Sequence, residues 1–505
     1  MDSNEHAAKA DWTEVVAAKR AIQDRQLQKY YTESRHLDSH SLGAHIVDIE
    51  ALTGLLRSGQ ASTEELIRAY IGRACEAQKK VTNCLTEICF DEAIDQARLL
   101  DKYQRTHGRL IGPLHGVPIT VKDQFNIQGL DSTLGYVANA FTPAESDAPL
   151  LHTLKQLGAI IIAKTNLPQS IMWCETDNPL WGLTTHPANP KYTPGGSSGG
   201  EAALLALGGS LSGRMSYRGV MATLDGQQHV PSAVGPMARS LSSLIAVTRL
   251  AITAAPWTID PQLPPIPWRD EIFEDMSTRS LVIGAMLDDG VVTVHPPIEQ
   301  TFCELVVKLK AAGHEVVEWD SSLNSKCIEV MDEYYASDGG EDIRRAVATG
   351  GEPLIPQIQA FVNRGPPISV YEYWQINKRK VAYQQAYHDM WDTIRSASGR
   401  AADVLLVPTM PHTAVPHGCC RWTGYTKLFN FLDYTALTFP AGKVSKDLAK
   451  KYTRDRAPRN ALDAWNCGLY NPSEMDGHSI GLQIVGRRFE EEKVLGAARQ
   501  IQELL

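Results

Sequence analysis

Two features of this chain combine residue types that can do chemistry. The first is Gly195-Gly196-Ser197-Ser198-Gly199-Gly200-Glu201, two serines framed by four glycines, followed at once by Ala202-Ala203-Leu204-Leu205. Glycine admits backbone angles closed to other residues and lets a ligand approach the main chain. A helix starting near Gly199 would turn its free N–H groups and positive dipole end toward the serines, an arrangement suited to an oxyanion or a carboxyl-derived group. Glycine and serine in this proportion also describe a flexible linker; the apolar helical run after them argues against that reading. The second feature is Lys122, at the end of the apolar run Val117–Val121. A lysine there is ordinarily a solvated strand terminus, whereas a desolvated one loses its proton more easily and becomes a base. The residues alone leave both readings open.

Two further sets carry reactive types. Cys174-Glu175, read with a lysine, has the composition of a cysteine-dependent amide or nitrile hydrolase, although a cysteine beside Trp173 is more commonly a packed small apolar group. His412, His417, Cys419 and Cys420 are ligand types, but their spacing fits no usual zinc pattern, so no metal and no cofactor are expected.

The elements that must hold these residues alternate between helix and strand. Helices are expected over 11–30, 47–58, 62–79 (opening on the capping-box pattern Ser62-Thr63-Glu64-Glu65), 91–104, 150–157 and 491–504. Strands are expected over 117–121, 159–164, 281–285, 315–318, 403–408 and 480–485, with a polar break around 33–41. That grammar predicts an α/β protein.

The 505 residues carry 49 basic and 58 acidic side chains, a balance that argues against nucleic acid or an anionic membrane as the main partner. No apolar run reaches the length of a membrane span, the first residues lack an apolar signal core, and nine scattered cysteines suit a reducing compartment. The expected location is cytoplasmic, without structural disulfides.

Five ordered stretches together resemble the amidase signature family, and most closely the acetamidase-type amidases of fungi. They are Gly112-Pro113-Leu114-His115-Gly116-Val117-Pro118-Ile119 through Lys122-Asp123; Lys164-Thr165-Asn166-Leu167-Pro168-Gln169-Ser170; the glycine–serine stretch; Val234-Gly235-Pro236-Met237-Ala238-Arg239-Ser240; and Ile484-Val485-Gly486-Arg487-Arg488. The resemblance implies one large domain over 47–505, with a mixed twisted β-sheet core covered by helices on both faces, and an N-terminal helical extension over 1–46. It also implies hydrolysis of a small aliphatic or aryl carboxamide, to a carboxylate and ammonia or an amine, by a Ser–Ser–Lys triad through an acyl-enzyme. In that scheme Lys122 is the base, Ser197 is a proton relay in a cis peptide, and the backbone of Ile171 or Met172 lies against the substrate. The pocket wall would draw on loops such as residues 429–438, and a place in secondary metabolism is compatible with the same motifs.

The chain departs from the family where the chemistry is concentrated. The family places its nucleophile about two dozen residues after the relay serine, in Thr-Asp-x-Gly-Gly-Ser-x-Arg. Here Ser210-Leu211-Ser212-Gly213-Arg214 passes directly into residues similar to those the family carries beyond its nucleophile segment, and Met221 stands at the expected spacing. The nucleophile therefore has no assignment, and the segment reads as deleted around 210–214. Gly208-Gly209-Ser210 continues with Leu211-Ser212, so no Gly-Gly-Ser-x-Arg occurs, and the closeness of Ser210 and Ser212 to Ser197 in sequence does not bring them to Lys122. Such a block is either a true deletion, giving a catalytically dead amide-binding relative, or an exon lost from the coding sequence; its clean edges favour the second. Sequencing the native transcript decides between them.

Overall fold

A computed structural model of the chain describes residues 11–33, 46, 48–205, 214–449 and 457–505. The fold class is mixed α/β, as expected, and its strands form two mixed sheets. The residues fall into two compact units. One holds the described residues of Met1–Leu204 with Gly219–Asp225 and Gly339–Gly365; the other holds those of Leu205–Arg218, Gly226–Asp338 and Pro366–Leu505.

The first unit is built on β1 (Leu85–Ile88), β2 (Pro118–Lys122) and β3 (Ile160–Thr165), in the order β1-β3-β2, with β2 parallel and β1 antiparallel to β3. The central strand is buried along its whole length, as its run Ile160-Ile161-Ile162-Ala163 requires. It comes after the helix Pro149–Gln156 through Gly158, whose φ of +100° and close approach to the His115 backbone leave no space for a side chain. The helix Thr63–Ala77 begins on the predicted capping box, Ser62 with Glu65. The helix Trp12–Glu33 is bound into the same unit. Its Leu27 and Tyr30 pack with Ile67, Ile88, Phe90 and Ile162, while Lys19 bridges Glu87 and Asp131 at 2.6 Å each. The polar break expected at 33–41 lies outside the described residues, apart from Glu33 at the helix end.

The second unit holds β4 (Val282–Ala285), β5 (Glu315–Glu318), β6 (Val404–Pro408), β7 (Thr435–Lys443) and β8 (Ser479–Gly486), in the order β5-β4-β6-β8-β7. The first three of that order run parallel, and β8 is antiparallel to both its neighbours. Residues 429–438, expected as a pocket loop, are instead the end of the helix Gly424–Leu432 and the start of β7. Phe429 is buried, and Asp433 makes the turn between them at φ +59°. Among the described residues no helix is long and apolar enough to cross a membrane.

Candidate active site

Lys122 is the last residue of β2, and Thr120, two residues earlier, shares its face of the sheet. In register beside Lys122 on β3 is Thr165. The glycine–serine stretch meets this face. Lys122 Nζ donates to Ser197 Oγ at 2.7 Å, so the pair joined by sequence motif is joined in space. Burial is the main influence on the amine and lowers its pKa to about 7; the neighbouring Asp123 charge opposes the shift without cancelling it. Above that pH the neutral amine predominates and can accept a proton.

Close backbone packing sets the position of Ser197. Gly195 has φ +99°, and the Gly196–Ser197 peptide is cis. A Cβ on Gly196 would stand 2.7 Å from the Cys174 carbonyl carbon, so the turn rests on the main chain of residues 173–175. Thr176 straps it from below: its hydroxyl donates to the Gly195 carbonyl and accepts from the Gly199 N–H, both at 3.1 Å. The helix Gly199–Leu205 then begins, with Gly200 N–H donating to the Asn166 carbonyl at 3.0 Å.

These contacts correct one expectation. The first N–H groups of this helix are not free to receive an oxyanion, because Thr176 and Asn166 already occupy those of Gly199 and Gly200. The glycines are required by the fold for a different reason. A Cβ at Gly199 would lie 2.1 Å from Thr176 Oγ1, and one at Gly200 would lie 2.3 Å from the Asn166 nitrogen. They bring the helix onto β3 and the segment after it.

Ile171 and Met172 lie in the turn beyond β3. Ser170 and Ile171 have φ of +69° and +58°, and Ser170 N–H donates to the Leu134 carbonyl. The Ile171 side chain is buried and Met172 is half-buried. The next three residues form the floor under Gly196, so this turn and the Ser197 turn are neighbours. Asp123 supports the same region by accepting from the Thr133 N–H and hydroxyl, both at 2.8 Å, and from Leu134 N–H at 3.0 Å.

The segment at the expected nucleophile spacing is backed onto the lysine strand. Met221 N–H donates to the Gln124 carbonyl at 2.8 Å, Gln124 Nε2 donates back to the Met221 carbonyl, and Val220 bridges Phe125. Met221 is 36% exposed, and Thr223 hydrogen-bonds the Tyr136 hydroxyl at 3.1 Å. Ser210 and Ser212 lie outside the described residues. Among the described residues, no second serine or threonine hydroxyl hydrogen-bonds to Lys122 Nζ or Ser197 Oγ.

Of the other candidates, Cys174 is half-buried under Gly196, and the Lys122 amine is directed to Ser197. His412 is buried in the second unit, its pKa lowered to about 3 by burial and then by His295. Among the described residues no group of three or more His, Cys, Asp or Glu side chains could hold a metal ion.

Sequence reasoning missed Glu201. It lies one helical turn after Ser197, and its two carboxylate oxygens accept from Thr120 Oγ1 at 2.6 Å and Thr165 Oγ1 at 3.1 Å. The available signal was an acidic residue within an otherwise apolar helix, opposite threonines spaced to share the lysine's face.

Comparison with known proteins identifies the family and the fold. The amidase family model matches residues 65–213 and 210–495, two parts that meet at 210–213. An "Amidase 2" from Gibberella moniliformis is 63% identical, covering 96% of each chain. An acetamidase from Emericella nidulans is 33% identical, over 90% of this chain and 88% of its own length. Among solved structures, a fatty acid amide hydrolase superposes with a TM-score of 0.86 at 27% identity, over 98% of this chain and 95% of its own. A bacterial aryl acylamidase of the same family superposes at 0.71 with 20% identity, over 90% and 96% of the two chains. With the motifs in order, the lysine and serine in contact and the family model matched over most of the length, this chain belongs to the amidase signature family.

Proposed function

We propose that the first unit holds a site for a small aliphatic or aryl carboxamide, in which Lys122 is the base, Ser197 relays the proton, and the backbone of Ile171 or Met172 borders the substrate. The carrying observation is the 2.7 Å hydrogen bond from an amine of pKa about 7 to the Ser197 hydroxyl. In the complete mechanism, Lys122 takes the Ser197 proton as Ser197 takes one from a second serine, whose oxygen attacks the amide carbon. The relay returns the proton to the departing nitrogen, and water then releases the carboxylate from the acyl-enzyme.

In this chain the second serine is the weak point, and turnover is strongly impaired. The family match divides at 210–213, where the sequence lacks the Thr-Asp-x-Gly-Gly-Ser-x-Arg signature, and Met221 is held against Gln124 at the expected spacing. The same observations favour a second reading, in which the pocket binds an amide without cleaving it. Ammonia release from acetamide and benzamide, measured beside a Lys122→Ala control, separates the two. Slow release above the control is the expected result. Release equal to the control with amide binding retained selects the binding reading, and loss of both overturns the site. Release that thiol alkylation abolishes would move the chemistry to Cys174.

A further inference from the structure

Two contacts fix the helix Gly199–Leu205 to β3 and the residues after it: Gly200 N–H on the Asn166 carbonyl and Gly199 N–H on Thr176. Neither reaches β2, the strand that carries Lys122. β2 is paired with β3 through the backbone, so the Ser197 turn is tied to the lysine strand only by way of β3 and the segment after it, and a drift of about 1 Å would break the Lys122–Ser197 hydrogen bond. Glu201 adds a direct side-chain tie. It is 8% exposed, and its two oxygens take one hydroxyl from each strand, Thr120 on β2 and Thr165 on β3. Thr120 and Lys122 are two residues apart on one strand, and Glu201 stands in the first turn of the helix that Ser197 leads into. The Glu201–Thr120 bond therefore runs alongside the Lys122–Ser197 bond as a second rung between the same two pieces of chain. Among the described residues, no other side-chain hydrogen bond joins that helix to β2.

We propose that Glu201 is a positioning residue for the proton relay: by accepting from Thr120 and Thr165 together, its carboxylate holds the Ser197 turn within hydrogen-bonding distance of Lys122. The proposal rests on the base-and-relay reading of those two residues. Loss of the rung lets the turn lift and water reach the amine, which returns Lys122 toward ordinary lysine behaviour. The ionisable groups facing the pair are Asp123 beside Lys122 and the buried Cys84 thiol near Glu201; both are unchanged in the variants below.

The test is independent of turnover. Potassium cyanate carbamylates only the neutral amine, so the rate of Lys122 modification, followed by peptide mass spectrometry across a pH series, reports the midpoint of its titration. In the wild-type chain the midpoint is expected at about 7. Glu201→Gln, which retains the shape and one acceptor oxygen, keeps it there. Glu201→Ala raises it by about one pH unit or more. The double variant Thr120→Val/Thr165→Val removes the two donors at nearly constant volume, and it must shift the midpoint in the same direction even if Glu201→Ala does not fold. An unchanged midpoint in a folded Glu201→Ala or double-valine variant overturns the role of Glu201 alone. A wild-type midpoint in the ordinary lysine range overturns the base-and-relay reading and this inference with it.

Discussion

Each unit takes a cation out of water, with opposite results. In the first, the Lys122 amine faces a hydroxyl, with Asp123 as its neighbouring charge, and desolvation lowers its pKa to about 7. In the second, the Arg214 guanidinium is buried, at 3% exposure, and desolvation again acts against its charge. Glu492 and Glu491, each 2.8 Å away, outweigh that penalty, and the carbonyls of Ile266 and Pro267 accept from its other terminal nitrogen. Its pKa is raised. Burial alone therefore does not decide charge. A cation given two carboxylates keeps its charge as a structural tie, and one given a hydroxyl loses its proton more easily.

The sharpest way to break this comparison is to remove each cation. Arg214→Met leaves two buried glutamates with too few partners and should cost about 3–5 kcal/mol in urea unfolding. A loss under about 1 kcal/mol would show that the cluster is solvated. Gly200→Ala drives a methyl group into the Asn166 and Cys84 backbone and should cost about 1–3 kcal/mol, with a raised Lys122 midpoint if the helix is displaced. For Lys122 the sign comes from linkage. Its folded pKa is below its unfolded value of 10.5, so the unfolded chain binds more protons between about 7 and 10.5. The burial penalty is complete below pH 7 and is relieved as pH rises through that window. Wild-type stability should therefore gain on the order of 5 kcal/mol relative to Lys122→Met between those limits, at about 1.36 kcal/mol per pH unit, and parallel curves would refute the lowered pKa. The smallest effect supplies a reference. Ser62→Ala and Ser369→Ala remove a capping box from each unit and should each cost about 1 kcal/mol in thermal unfolding, because local capping is indifferent to which unit contains it.

Features with a local cause were legible in the sequence. The Ser62 capping box, the apolar run Ile160–Ala163 of β3 and the helix beginning at Gly199 came from propensity and periodicity. β1 and β7 did not. Leu85-Thr86-Glu87-Ile88 includes a glutamate that is buried against Lys19, far off in sequence, and β7 contains Pro440 at a register irregularity on an edge strand. The glycines at 199 and 200 were visible, but their purpose was not, because the atoms they accommodate belong to Thr176, Asn166 and Cys84.

By itself the sequence determined which groups were available: a lysine ending an apolar strand, a serine between glycines, and no Gly-Gly-Ser-x-Arg signature after them. Tertiary structure decided what those groups are. It put the amine 2.7 Å from the hydroxyl, used the helix N–H groups internally and laid Glu201 across two strands. The physical reason is that a pKa and a hydrogen bond depend on which groups share a few ångströms of low-dielectric space, and neighbours 75 residues apart in the chain are chosen by packing.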